Sequence, residues 1–174
     1  MIDADNLKQV NDTYGHKAGD KLILTIANTI KECLRTSDII CRYGGDEFVA
    51  LLPQLPATRA VETGERLRSA VENTSFDADG KKIKSTVSIG IATYPDEVGN
   101  VFELLEKADE ALYECKRTGR NLVTSYSSAQ VVSSVEHVST ASLYEVKQGG
   151  SRKTDKTWVP SQPFPVTPLV TLFY

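Results

Sequence analysis

Apolar residues between positions 17 and 35 recur at intervals of three and four, the spacing of one face of a helix. They are Leu22, Ile23, Ile26, Ala27, Ile30, Cys33 and Leu34. The pattern predicts an amphipathic helix of about five turns over Lys17–Arg35. Two short β-type runs follow, Ile39–Cys41 and Val49–Leu52, with Gly44 and Gly45 between them. A glycine pair in that position predicts a hairpin whose tight primed turn uses positive φ angles.

The second half of the chain alternates between helix and strand patterns. Prolines at 53 and 56 interrupt the chain, and a helix is predicted from Thr58. Its apolar face is Val61, Gly64, Leu67 and Val71. Period-two alternation over Val87–Tyr94 predicts a strand. A further helix is predicted between an Asn100 cap and a stop at Gly119. The inward positions of that helix are Val101, Leu104, Leu105, Ala108, Leu112 and Cys115.

The chain opens with the end of a strand, since Met1-Ile2 is apolar and Asp3 already has the character of a site residue. A central strand usually has about five or six residues, so we expect an N-terminally truncated domain that lacks part of strand 1 and whatever precedes that strand. A short helix is expected before the turn at Tyr14-Gly15-His16, and Asn121–Tyr126 is the predicted closing strand. This order is typical of a ferredoxin-like α+β fold, an antiparallel sheet with helices covering one face.

Composition narrows the possible functions. The chain has 174 residues, 40% of them apolar, and a net charge of -3, which disfavours binding to a nucleic acid polymer. Cys33, Cys41 and Cys115 lack metal-ligand spacing and are interpreted as reduced core residues. No signal peptide or membrane-spanning apolar run is present in this chain, so a cytoplasmic location is expected. We predict a domain over 1–126 and a linker-like or disordered tail over 127–174, where serine, valine, threonine and proline dominate.

The hairpin tip carries the candidate chemistry. Without side chains, Gly44 and Gly45 allow a ligand to approach the backbone, and Asp46 and Glu47 place negative charge beside that opening. Hard cations and the phosphates that they carry are suitable ligands. The alternative is a solvated hairpin whose acids only keep the protein soluble.

The string Gly44-Gly45-Asp46-Glu47-Phe48 resembles the signature of the GGDEF family, the diguanylate cyclases. The segment from Asp3 to Asp12 resembles the family's Asp-x-Asp-x-Phe-Lys-x-x-Asn-Asp motif, with Asn6 and Leu7 departing from the usual residues. The segment Lys116–Asn121 is similar to its final motif. The resemblance covers about residues 1–126 and implies a nucleotidyl cyclase-like fold that condenses two GTP into cyclic di-GMP. It also implies that the domain lacks its first helix in this chain, because the family has a helix before the matching segment.

The resemblance also implies a magnesium or manganese site. Asp3 and Asp46 are the expected metal ligands, and the carbonyl of Ala4 is a possible third. Attack of a 3′ hydroxyl on an α-phosphate needs metal ions to neutralise developing charge. Glu47 is expected either to ligate the metal or to help deprotonate the hydroxyl. Strict strand alternation would place Asp46 and Glu47 on opposite faces, and only a twisted hairpin end would aim both side chains into the site. Alone, Asp3 would be an ordinary strand-end acid.

Substrate contacts are likewise implied at three cations and two polar residues. Lys8, Lys116 and Arg120 match the family's triphosphate contacts, although cations at helix ends also offset the helix dipole. Asn11 and Asp20 match its guanine contacts, although an acid such as Asp20 is common at a helix N-terminus.

The stretch Arg35-Thr36-Ser37-Asp38 resembles the family's inhibitory site for the cyclic product, with Arg66 as a second contributor. The alternative is a helix-terminal arginine and a loop-capping aspartate. A two-fold symmetric product implies a catalytic homodimer, and the family resemblance implies an upstream sensor or regulatory domain. The rival hypothesis is an inactive module that binds GTP or cyclic di-GMP.

Overall fold

A computed structural model of the chain describes residues 1–78 and 80–127. Seven strands and four helices occur in these ranges. The strands are β1 Ile2–Ala4, β2 Ile39–Arg42, β3 Glu47–Leu51, β4 Phe76–Ala78, β5 Lys81–Ile83, β6 Val87–Ile91 and β7 Val123–Ser125. The helices are α1 Leu7–Tyr14, α2 His16–Cys33, α3 Ala57–Asn73 and α4 Glu103–Arg117. The predicted tail lies, from residue 128 onward, outside the described residues.

The central sheet has five strands in the order β2-β3-β1-β6-β7. Strand β1 lies between β3 and β6 and is antiparallel to both, whereas β6 and β7 are parallel. The α+β expectation is therefore confirmed, with one parallel pair at the edge. Helix α4 crosses between β6 and β7, and such a crossover is what parallel neighbours require.

Helices cover both faces of the sheet, so the prediction of a single covered face is wrong. The larger core cluster joins α2 and α3 to one face through residues such as Ile2, Phe48 and Ile89. Met1 packs with Ala108 and Leu112 of α4 in a separate cluster. Because neighbouring residues of a strand point to opposite faces, Met1 and Ile2 belong to the two different layers.

Element types and approximate positions agree with the hydrophobic pattern, but some details differ. Val101 is 59% exposed and Leu105 is 38% exposed, so neither is the buried inward position that the pattern predicts, and Val101 lies before α4, which begins only at Glu103. Cys41 is exposed on the edge strand β2 and Cys33 is half-buried, so only Cys115 is a core thiol.

Two features lie outside the main sheet. Strands β4 and β5 pair as a separate two-stranded hairpin, with Gly80 at φ 75° in the predicted turn. Of the helices in the described ranges, none is long and apolar enough to cross a bilayer.

Gly90 determines how closely α4 approaches the sheet. A Cβ at this position would lie 2.1 Å from the Ala108 carbonyl oxygen and 2.2 Å from the Leu112 nitrogen. Both atoms belong to the helix backbone and cannot rotate away. The missing side chain therefore allows α4 to lie directly on β6, which in turn places Lys116 beside the end of β1.

Candidate active site

The ends of β1 and β3 bring together carboxylates that are far apart in sequence. Asp3 is the register partner of Glu47, and the Ala4 amide donates to the Asp46 carbonyl at 2.9 Å. Asp46 precedes the first residue of β3, so the alternation of the strand does not constrain it. Asp46 and Glu47 accordingly line the same cavity, so the alternation that would separate them does not apply at this end of the hairpin.

That cavity has a volume of about 570 Å³ and combines acids with cations. The predicted metal ligands among its lining residues are Asp3, Ala4, Asp46 and Glu47, and the predicted phosphate contacts are Lys8, Lys116 and Arg120. The remainder of its wall comes from α1 and the residue before it. An opening with these charges is suited to a cation together with a polyphosphate.

Asp3 and Lys116 form an ion pair at the base of the cavity, with 2.8 Å between Oδ2 and Nζ. Burial raises the pKa of Asp3, and the nearby charges of Asp46 and Asp5 raise it further, against the opposing hydrogen bond and charge of Lys116. Burial lowers the pKa of Lys116, but the hydrogen bond and charge of Asp3 outweigh that effect and the pKa is raised. The ion pair therefore favours the charged form of Lys116 beside the partly buried carboxylate of Asp3.

The hairpin tip is not the predicted primed turn. Neither Gly44 nor Gly45 has a left-handed φ, and four residues, Tyr43 to Asp46, connect the strands. The amides of Tyr43 and Gly44 both donate to the Glu47 carbonyl, at 2.8 and 3.2 Å. Arg42 stabilises the loop by donating to the carbonyls of Gly44 and Gly45, at 3.2 and 2.6 Å.

Gly44 and Gly45 have different structural roles in this loop. A Cβ at Gly44 would lie 2.8 Å from Oε2 of Glu47, whereas a Cβ at Gly45 would meet no atom within 4 Å. Gly44 therefore leaves room for the Glu47 carboxylate, and Gly45 keeps the tip open.

The donor set fits a hard divalent cation that is shared with a nucleotide. Among the described residues, no three His, Cys, Asp or Glu side chains form a group that could hold a metal alone. Mg²⁺ is usually bound by one or two carboxylates together with substrate phosphates and water. Asp3 and Asp46, whose mutual repulsion contributes to the raised pKa of Asp3, meet that requirement when phosphate oxygens complete the shell.

The predicted guanine contacts lie elsewhere. Among the described residues that line the cavity, neither Asn11 nor Asp20 occurs. Asn11 packs against Gly19, where a Cβ would lie 1.9 Å from its Oδ1, so glycine is required for this contact between α1 and α2. Asp20 follows Gly19 in α2 and is exposed. Both predicted guanine contacts therefore lie outside the cavity lining, one at the contact between α1 and α2 and the other on the exposed surface of α2.

The residues of the predicted inhibitory site gather at the C-terminal end of α2. Asp38 Oδ2 accepts the Arg35 amide at 2.8 Å, and the Asp38 amide donates to the Arg35 carbonyl at 3.0 Å. Arg66, on α3, donates through Nη2 to the carbonyl of Cys33 at 2.9 Å. Asp38 therefore does cap the loop, as the structural alternative expected, while Arg35 and Arg66 lie exposed beside it.

Sequence reasoning gave no role to Arg42, Asp5 or Asn121. Asp5 is only 1% exposed, and its carboxylate accepts hydrogen bonds from two hydroxyls and one amide. The second aspartate of the Asp-x-Asp motif was the available signal, because an acid buried in a core must have partners. Its partners lie more than eighty residues away and could not be identified from local spacing.

Comparison with known proteins identifies the class to which this fold and cavity belong. Residues 1–122 match the family model "Diguanylate cyclase, GGDEF domain". The chain therefore belongs to the GGDEF diguanylate cyclase family, as its hairpin motif indicated.

Individual relatives agree with that assignment. Diguanylate cyclase A of Treponema denticola is 47% identical over 124 residues, which are 71% of this chain and 33% of that protein. Diguanylate cyclase DosC of Escherichia coli K12 is 41% identical over 127 residues, 71% of this chain and 27% of that protein. The chain thus spans a third or less of the length of these relatives.

A solved structure supports the fold directly. The GGDEF domain of DgcB from Caulobacter crescentus, determined in complex with c-di-GMP, superposes with a TM-score of 0.67 at 36% identity. The match covers 73% of this chain and 75% of that one.

Proposed function

We propose that this domain is a diguanylate cyclase that joins two molecules of GTP into cyclic di-GMP with Mg²⁺ or Mn²⁺. The observation that carries the proposal is the single cavity in which Asp3, Asp46 and Glu47 face Lys8, Lys116 and Arg120. Negative ligands for a cation and positive contacts for a triphosphate are both needed for phosphoryl transfer, and either set alone would be insufficient.

In this mechanism Asp3, Asp46 and the Ala4 carbonyl would hold the metal. When bound, the divalent ion would polarise the α-phosphate and lower the pKa of the attacking 3′ hydroxyl. Glu47 would complete the metal shell or accept the hydroxyl proton, and its position in the cavity wall beside its register partner Asp3 supports this role. Lys8, Lys116 and Arg120 would bind the triphosphate and stabilise the departing pyrophosphate.

Lys116 has a second role in the proposal. Its ion pair with Asp3 neutralises one carboxylate before any cation arrives. Binding of a metal nucleotide would replace that partner, so the ammonium group could turn from Asp3 to the phosphates. The guanine would extend out of the cavity towards Asn11, at the contact between α1 and α2, and towards Asp20 on α2.

One domain supplies one cavity for one GTP, whereas the product contains two. We therefore propose a catalytic homodimer in which two cavities face each other and each hydroxyl attacks the opposite α-phosphate. The structure of DgcB contains c-di-GMP. By analogy, and because Arg35, Asp38 and Arg66 meet at one helix end, we propose that this group binds the product.

The test is turnover of GTP by the purified chain with Mg²⁺, measured by chromatography of the nucleotides. Asp46→Asn and Glu47→Gln keep side-chain volume but remove a charge, and each should reduce product formation by at least about 100-fold. Glu62→Gln is the matched control, because Glu62 is an exposed acid on α3 that pairs with Arg59 one turn away and does not line the cavity. Full turnover in both site variants would refute the proposed mechanism.

The rival function is a module that binds GTP or cyclic di-GMP without turnover. The two arginines beside Asp38 favour a product-binding role. Titration calorimetry separates the two functions: a wild-type chain that binds cyclic di-GMP but forms none from GTP would be the binding module. Loss of that binding in Arg35→Ala would assign it to this group.

A further inference from the structure

The loop between α4 and β7 contains two consecutive non-glycine residues in the left-handed region. Arg120 has a φ of 65° and Asn121 a φ of 50°. Such backbone is unfavourable for arginine and persists only where surrounding contacts hold it. Arg120 is the residue that this loop presents to the cavity, so the contacts that hold the loop also determine where the guanidinium lies.

The first restraint on this loop comes from α3. Asn121 Nδ2 donates to Oε1 of Glu72 at 2.8 Å, and Asn121 Oδ1 accepts from Nη1 of Arg68 at 2.9 Å. Arg68 is itself held by ion pairs with Glu65 and Glu72, at 2.8 and 3.0 Å. Both polar atoms of the Asn121 side chain are thus occupied by a helix that does not line the cavity.

The second restraint comes from the interior. The backbone amide of Asn121 donates a hydrogen bond to Oδ2 of Asp5 at 3.1 Å. Asp5 also accepts from Thr86 Oγ1 at 2.7 Å and from Ser88 Oγ at 2.8 Å. Because its carboxylate is buried and its oxygens are used by these three donors, Asp5 is unsuited to binding metal or substrate. It connects the end of β1, the start of β6 and the Arg120 loop.

We propose that Asp5 and Asn121 are positioning residues for phosphate binding, which together hold the left-handed loop so that Arg120 faces the cavity. The inference rests on the proposed function in one respect, namely that Arg120 binds the triphosphate. It adds that the affinity for GTP depends on a buried acid and a loop asparagine that do not touch the nucleotide.

The test is a double-mutant cycle measured as GTP affinity, by calorimetry on the full chain with Mg²⁺. Removing the charged contact in Arg120→Ala should weaken binding by about tenfold or more. Asp5→Ala and Asn121→Ala should each weaken binding several-fold, because the loop can relax. In the Arg120→Ala background the same two changes should have less than about a twofold further effect, since residues that act through one side chain are not additive.

Two control variants isolate positioning from general damage. Asn73→Ala removes an exposed asparagine that bonds only within its own helix, to Ser69, and should leave affinity unchanged. Asp5→Asn keeps a side-chain oxygen that accepts from the backbone amide of Asn121. The new side-chain nitrogen at position 5 can donate to the Ser88 hydroxyl. It should therefore restore affinity to within about twofold of wild type.

Each outcome discriminates. Weakening in Asp5→Ala or Asn121→Ala that is equally large with and without Arg120 would overturn the inference, as would wild-type affinity in both. If Asp5→Ala does not melt cooperatively, the cycle of Asn121 with Arg120 decides the question. A wild-type chain that fails to bind GTP would instead refute the proposed function, so the two failures are distinguishable.

Discussion

Gly90→Ala tests the contact that brings α4 to the end of the sheet where the candidate site lies. The added Cβ would lie 2.1 Å from one backbone atom of α4 and 2.2 Å from another, whereas ordinary contact begins near 3.4 Å. Helix α4 must therefore retreat by more than about 1 Å, since neither backbone atom can rotate away. That movement would loosen the packing of Leu112 and Cys115, which are 1% and 0% exposed.

The expected loss of stability is about 3 kcal/mol, the upper part of the usual range for inserting a methyl group into a packed core. For a domain of this size, thermal unfolding should shift downwards by about 10 °C, measured by circular dichroism. GTP affinity should fall as well, because α4 carries Lys116. Gly99→Ala is the matched control, since its Cβ would meet no atom within 4 Å. A Gly90→Ala midpoint within about 2 °C of wild type would refute the packing argument.

Two further predictions follow from the titrating groups. In the proposed mechanism Asp3 holds the Mg²⁺ of the bound nucleotide and must be ionised. Its raised pKa should therefore make nucleotide affinity fall with decreasing pH earlier than for an ordinary aspartate. Lys116→Met removes the interactions that lower the Asp3 pKa, so the loss of nucleotide affinity on acidification should begin at a higher pH. An unchanged acidic side of the affinity–pH curve would contradict the role of the ion pair. The contribution of Asp3 to folding has the opposite sign, because a raised carboxyl pKa favours the folded state at low pH and disfavours it as pH rises. In alkylation monitored by mass spectrometry, exposed Cys41 should react first. Cys115 should react only on unfolding, because the thiol is buried and burial raises its pKa. Early labelling of Cys115 would contradict its buried position.

Much of this protein could be read from local pattern. The 3.6-residue period predicted α2, α3 and α4 to within a few residues, because one apolar stripe per helix is what burial against a sheet requires. The glycine pair and following acids located the hairpin, although φ angles and the Arg42 hydrogen bonds differ from a primed turn. The resemblance to the family's motifs likewise identified Asp3, Asp46 and Lys116 as candidates for one site.

The relations between distant elements were decided only by the tertiary structure. Helix α4 lies on the second face because Gly90 lets it approach, and the resulting Asp3–Lys116 pair joins residues 113 positions apart. The partners of Asp5 and Asn121 could not be inferred either, since a hydrogen bond across the core leaves no periodic trace along the chain. Short stretches of sequence determine which functional groups are present, whereas the charges and hydrogen-bond donors around each functional group depend on how the sheet brings those stretches together.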